Sequence, residues 1–211
     1  MLCLIGTIFV LLQPIRPCPR LSTRWEVCGR SFPPTKTRKR ENNKRPMETI
    51  KNQKFGGERP LFGVHDVRLE DIEIVDGESG IKCCKQVECH NSKFYGKYPW
   101  WHVDGSLITN CYFAPGSRSA IWYSDDMVMR DCVIDGPKFF REMKNVTLEN
   151  VKITDADETF WRIDGLKIKN VELHQGTYPF MFSKNIYVDG LVSDAKYVFQ
   201  YCQNVEIHHA K

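Results

Sequence analysis

The chain has 211 residues, 42% of them hydrophobic and 12% aromatic, enough apolar material for one sizeable core. Its net charge of +4 is unevenly divided: residues 1–56 hold 12 Lys/Arg against 3 Asp/Glu (+9), residues 57–211 hold 18 against 23 (−5). A net acidic main body argues against nucleic acid as a partner, and no apolar run reaches the roughly 20 residues that span a bilayer, so a membrane partner is not expected either.

Residues 1–47 read as a disordered or non-native leader. An apolar run from Leu2 to Leu12 is followed by Pro14, Pro17 and Pro19, with no basic segment before it and no small-x-small cleavage site after it. Secretion is the alternative if residues 2–12 act as a signal peptide. The basic run Thr35-Lys36-Thr37-Arg38-Lys39-Arg40 and Lys44-Arg45 has the composition of a targeting patch, but a solvated, unfolded segment accounts for it as well. Nine cysteines, an odd number without a disulfide framework, point to a cytoplasmic setting.

Residues 48–211 carry a repeat. Its clearest copies are Asn145-Val146-Thr147-Leu148-Glu149-Asn150-Val151-Lys152-Ile153 and Gly165-Leu166-Lys167-Ile168-Lys169-Asn170-Val171-Glu172-Leu173. Alternation, a break at Asn, then alternation again means strand, corner, strand. The corner position recurs at Asp71, Asn91, Asn110, Asp131, Asn150, Asn170, Gly190 and His209, at spacings of 20, 19, 21, 19, 20, 20 and 19. A period near twenty residues predicts an all-β solenoid, a parallel β-helix of about eight rungs of 19–21 residues. Rungs stack at about 4.8 Å, so equivalent positions form files along the axis. Files two and four residues before the corner, and one and three after it, are apolar and predicted to face inward. A leucine-rich repeat of similar period would need a Leu-x-x-Leu-x-Leu framework that is absent.

A bend follows each double strand, and beyond it lies a third strand. Its first file (Ile81, Trp100, Ile121, Phe140, Phe160, Phe180, Phe199) reads as an internal stack. The next file, Lys82, Trp101, Trp122, Arg141, Trp161, Met181 and Gln200, is predicted to face outward. The file after it contains Cys83, His102, Tyr123, Glu142, Arg162, Phe182 and Tyr201, and alternation leaves its direction open. A polar file then includes Asp104, Asp125, Lys144 and Asp164. Trp101, His102, Trp122, Tyr123, Arg141, Trp161 and Arg162 therefore share one wall, with Asp126 beside it. Aromatic faces flanked by charged groups suit a sugar ring, which makes a glycan the first expected ligand. Cover by a terminal segment, or a homo-oligomer contact through this wall, is the alternative.

Asp104, Asp125, Asp164, Arg141 and Arg162 are the candidate catalytic residues for a polysaccharide lyase or glycoside hydrolase. Adjacent rungs bring Asp104 and Asp125 to the spacing a glycosidase pair needs, but any register of a solenoid does the same, and turn chemistry explains them more simply. Cys83, Cys84, Cys89 and His90 match no zinc spacing, and no calcium-ligand cluster stands out, so no metal or other cofactor is expected.

Phe55-Gly56-Gly57-Glu58-Arg59-Pro60, Trp100-Trp101-His102-Val103-Asp104-Gly105, Ile121-Trp122-Tyr123-Ser124-Asp125 and Ser193-Asp194-Ala195-Lys196-Tyr197-Val198-Phe199-Gln200-Tyr201 resemble phrases of an uncharacterised bacterial family, a domain of unknown function. The resemblance covers residues 48–211 and implies a single-stranded, right-handed, pectin-lyase-like parallel β-helix. It implies no activity and carries over no catalytic residue. Because relatives continue for further rungs, the expectation is a chain truncated at its C-terminus, or end-to-end oligomers through an uncapped rung.

Overall fold

The computed structural model describes residues 46–211; the leader expectations lie outside these residues. Among them there is no helix. Fifteen strands join one continuous parallel sheet, wound as a solenoid of about eight turns. Its main path runs through Glu48–Lys51, His65–Glu70, Ile81–His90, Trp100–Thr109, Met127–Ile134, Lys144–Ile153, Asp164–Leu173, Lys184–Ser193 and Gln203–Ala210. Leu148 pairs with Ile168 and Ile168 with Val188, the register the repeat predicts.

The backbone shows why the corner residue is what it is. All eight predicted corner positions have positive φ, 51–54° for the seven non-glycine residues and 84° for Gly190. Asn and Asp tolerate this left-handed region because their short polar side chains hydrogen-bond locally. Their amides also bond up the stack: Asn110 Nδ2 donates to Asn91 Oδ1 (2.8 Å), Asn150 to Asp131 (2.9 Å) and Asn170 to Asn150 (3.3 Å). Gly190 breaks the ladder, since a Cβ there would stand 2.7 Å from Asn170 Oδ1.

Further left-handed files appear, so each rung bends more often than the three-strand reading implies; in the later rungs Phe140, Phe160, Phe180 and Phe199 of the internal stack are left-handed as well. Five residues before the Asn corner stand Asp66, Gln86, Gly105, Asp126, Asn145, Gly165, Asn185 and Asn204. Three residues earlier again stand Gly63, Cys83, His102, Tyr123, Glu142, Arg162, Phe182 and Tyr201, here termed the aromatic corner. The fourth file is Arg59, Ser79, Tyr98, Ser119, Lys138, Glu158, Tyr178 and Tyr197.

The predicted inner files are buried from Val67 through Leu191. The aromatic stack is present in the later rungs, with Phe140–Phe160, Phe160–Phe180 and Phe180–Phe199 centroids 5.1, 4.9 and 4.4 Å apart. A second stack, Phe94 on Phe113 at 4.6 Å, lies across the core. Cys89, Cys111 and Cys132 are buried among these apolar groups, with the Cys89 and Cys111 sulfurs 3.9 Å apart, and all six described cysteines are free thiols.

Rung length varies in one place only. From the aromatic file to the last inner file is always 13 residues, as in Trp100 to Phe113 or Phe140 to Ile153. The bend closing the rung is 6 residues from Phe94 to Trp100, 7 from Ile74 to Ile81 and 8 from Phe113 to Ile121. These sums reproduce the 19-, 20- and 21-residue spacings, and they leave the predicted wall wholly within the constant segment.

Candidate functional site

Trp101, Trp122, Arg141 and Trp161 face outward, as alternation predicts, but each is only half-exposed or less. Stacking along the axis turns ring faces toward neighbouring rungs instead of toward water. Trp101 and Trp122 stack at 5.3 Å with planes 11° apart. The Arg141 guanidinium lies 4.8 Å from the Trp122 ring and 4.8 Å from the Trp161 ring, a cation held between two π faces. Lys82 caps Trp101 from the other side at 5.4 Å. The indole N–H groups of Trp101 and Trp122 donate to the carbonyls of Ser119 and Lys138, both at 3.1 Å. Arg141 also bonds Glu158 at 3.0 Å, and Lys138 pairs with the same carboxylate at 3.2 Å. The ladder thus meets much of its own bonding need and offers a ligand mainly ring edges.

The aromatic corner settles the file that alternation left open. A left-handed residue inverts the in–out pattern, so His102, Tyr123 and Arg162 point outward next to Trp101, Trp122 and Trp161, and Val103, Ser124 and Ile163 turn in. The buried serine keeps its hydroxyl satisfied: Ser124 Oγ accepts from Val103 N–H (3.1 Å) and donates to Trp122 O (3.1 Å). Side chains at this corner stack as well. His102 and Tyr123 lie 5.0 Å apart with planes 10° apart, and Phe182 and Tyr201 lie 5.2 Å apart. Between the two pairs Glu142 accepts from Arg162 at 3.1 Å, and Arg162 sits 5.6 Å from the Phe182 ring.

Residue choice at this corner conflicts with the backbone. The Asn file and the file five residues before it consist mostly of Asn, Asp and Gly, which suit positive φ. Tyr123, Arg162, Phe182 and Tyr201 do not, and a left-handed conformation costs such residues about 1 kcal/mol or more each. Phe182 and Tyr201 are also 42% and 70% exposed, so burial does not recover the cost.

A groove of about 400 Å³ runs between this corner and the polar file, lined by His102, Tyr123, Asp125, Glu142, Met143, Lys144, Arg162 and Asp164. It gathers His102, Tyr123, Arg162, Asp125 and Asp164 of the predicted set and adds Glu142 and Lys144. Trp101, Trp122, Arg141 and Trp161 stand one file away, and Asp104 one rung below Asp125. The carboxylates are engaged in the stack. Asp104 Oδ1 accepts from Asp125 N–H (3.3 Å), and Asp125 Oδ1 from Lys144 N–H (2.7 Å). Asp164 accepts from Asn185 Nδ2 (2.7 Å) and pairs with Lys184 (3.1 Å), and these two partners, Asn185 first, hold its carboxyl below the usual range. Asp126 belongs to the neighbouring corner, where it accepts from Asn145 Nδ2 at 2.8 Å. A larger groove of about 740 Å³ lies beside Asn145, Gly165, Asn185 and Asn204. Its corner amides bond one another, as Asn204 does Asn185 at 3.0 Å, and it lacks the misfit residues of the aromatic corner. Among the described residues no group of three or more His, Cys, Asp or Glu is arranged to hold a metal ion.

Residues 48–211 match the family described as "Protein of unknown function (DUF3737)". The chain belongs to this family. No curated protein matches it. The sequence clue to the aromatic corner was indirect: it keeps a constant three-residue distance from a file rich in Asn, Asp and Gly.

Proposed function

We propose that this solenoid is a glycan-binding protein, and that it holds its sugar along the aromatic corner without cleaving it. The observation that carries this reading is the set of aromatic, Arg and His side chains kept at backbone positions that suit Asn or Gly. Strain of this kind persists where side-chain chemistry outweighs backbone preference. Ring edges and the outermost ring faces supply apolar contact, and the Asp, Glu, Lys and Arg groups of the groove can bond sugar hydroxyls. Binding is favoured over hydrolysis because the carboxylates already accept bonds from adjacent rungs. Asp164, held ionised, has no proton to give as a general acid.

Glycan-array binding by the purified protein tests the proposal. Wild type should bind, while Tyr123→Ala, Arg162→Ala and Phe182→Ala each weaken binding by about tenfold or more. Lys93→Ala, on another face, should change nothing. Absence of binding by the folded protein, or variants that bind as wild type does, would refute it.

The adjacency of Asp104 and Asp125 supports a second reading, a polysaccharide lyase or hydrolase. Sugar release that disappears in Asp104→Asn and Asp125→Asn would establish it. A stable oligomer with tryptophans shielded from a soluble quencher would instead favour a subunit contact at the wall.

A further inference from the structure

Charge along the groove is close to balanced. Asp125, Glu142 and Asp164 face Lys144 and Arg162, one carboxylate more than the cations. Two nearby cations are already engaged: Arg162 Nη1 lies 3.1 Å from Glu142 Oε1, and Lys184 Nζ lies 3.1 Å from Asp164 Oδ2. An acidic polysaccharide would set a carboxylate against this surface at every sugar. It would meet like charge, and Lys144 alone of the two groove cations stands outside an ion pair among the described residues to serve as its counter-ion. Hydroxyls have no such conflict, since they donate to the carboxylates and accept from Lys144 and Arg162.

Resting on the glycan reading above, we propose that the ligand is a neutral polysaccharide strand lying parallel to the solenoid axis. Its direction follows from the repetition of the wall. Equivalent positions recur at each rung, about 4.8 Å apart. The stacked pairs His102–Tyr123 at 5.0 Å and Phe182–Tyr201 at 5.2 Å carry ring edges along that line. A chain crossing the rungs would meet the side chains of one rung, whereas a chain along the axis meets an outward side chain at every rung, with roughly one sugar per rung.

Calorimetric titration with neutral β-glucan oligosaccharides of increasing length, and with oligogalacturonates of matching length, tests this at low and high salt. Neutral affinity should rise up to about four sugars, the four rungs from His102 to Arg162, and change less than about twofold with salt. Oligogalacturonate should bind about tenfold more weakly or not at all. An Asp125→Asn/Glu142→Gln double variant keeps one acceptor oxygen at each position but removes two negative charges, and should shift preference toward the acidic oligomer by about tenfold. Tighter, salt-sensitive binding of oligogalacturonate to wild type would overturn the neutral assignment and leave glycan binding standing. A double variant with unchanged preference would overturn the charge argument. If neither oligomer binds while circular dichroism shows intact strands, the glycan reading itself falls.

Discussion

Arg141 is the place where the tryptophan ladder can be weighed. Its guanidinium sits 4.8 Å from two indole rings and 3.0 Å from Glu158, and its side chain is only 16% exposed. A cation–π contact is worth about 0.5–1 kcal/mol in water and toward 2 when desolvated, so two contacts at this burial contribute roughly 2 kcal/mol. The Glu158 pair, itself partly exposed, adds about 0.5 kcal/mol. Arg141→Ala should therefore cost about 2.5 kcal/mol, or about 5–10 °C of melting temperature for a domain this size. Arg141→Lys keeps the charge but loses the planar stack, and should cost about half as much. Urea denaturation followed by circular dichroism gives the energies, and tryptophan emission should shift to the red as Trp122 and Trp161 each lose the guanidinium over one face. If Ala and Lys variants are equally destabilised, or neither loses as much as about 1 kcal/mol, the sandwich does not hold the wall.

Other perturbations read other parts of the fold. Asn150→Gly should cost less than Asn150→Ala, about 0.5 against 1–2 kcal/mol by denaturation, because Gly keeps the left-handed corner and loses only the amide bonds to Asp131 and Asn170. His174 bonds Glu172 and Asp194, which raise its pKa above the ordinary 6.5. A raised histidine stabilises the fold fully below about pH 6.5, and that contribution disappears as pH climbs through the raised value. Melting temperature should therefore fall over that window in wild type and stay flatter in His174→Gln. Native alkylation should reach Cys83, which is exposed, ahead of Cys89, Cys111 and Cys132. Cys132 is pushed up by its bond with Cys111 and by burial, and should react only after unfolding, as peptide mass mapping would show.

Much of the solenoid was legible because one physical constraint writes itself in residue type. A left-handed corner favours Asn, Asp and Gly, and eight such positions set the period, the register and every inward file. The aromatic corner was not legible by the same route, since Tyr123, Arg162 and Phe182 are not residues that announce positive φ. Ring orientation was hidden for a different reason. Alternation says that Trp101, Trp122 and Trp161 leave the core, but not that stacking turns their faces along the axis, with Trp122 and Trp161 against Arg141. The candidate site was thus found as a set of neighbours, while its geometry needed coordinates.

The uneven bend between the last inner file and the aromatic file carries a practical lesson. Loop 114–120 already holds two residues more than its counterpart at 95–99, yet Met127 to Arg130 still pair with Ser106 to Thr109 below and Val146 to Glu149 above. That rim is a ready grafting point, where a tag, epitope or spectroscopic probe can be spliced in with the opposite flank left undisturbed. A single residue inserted between Phe140 and Ile153 would instead push the side chains from there to the next bend to the wrong side of the ribbon.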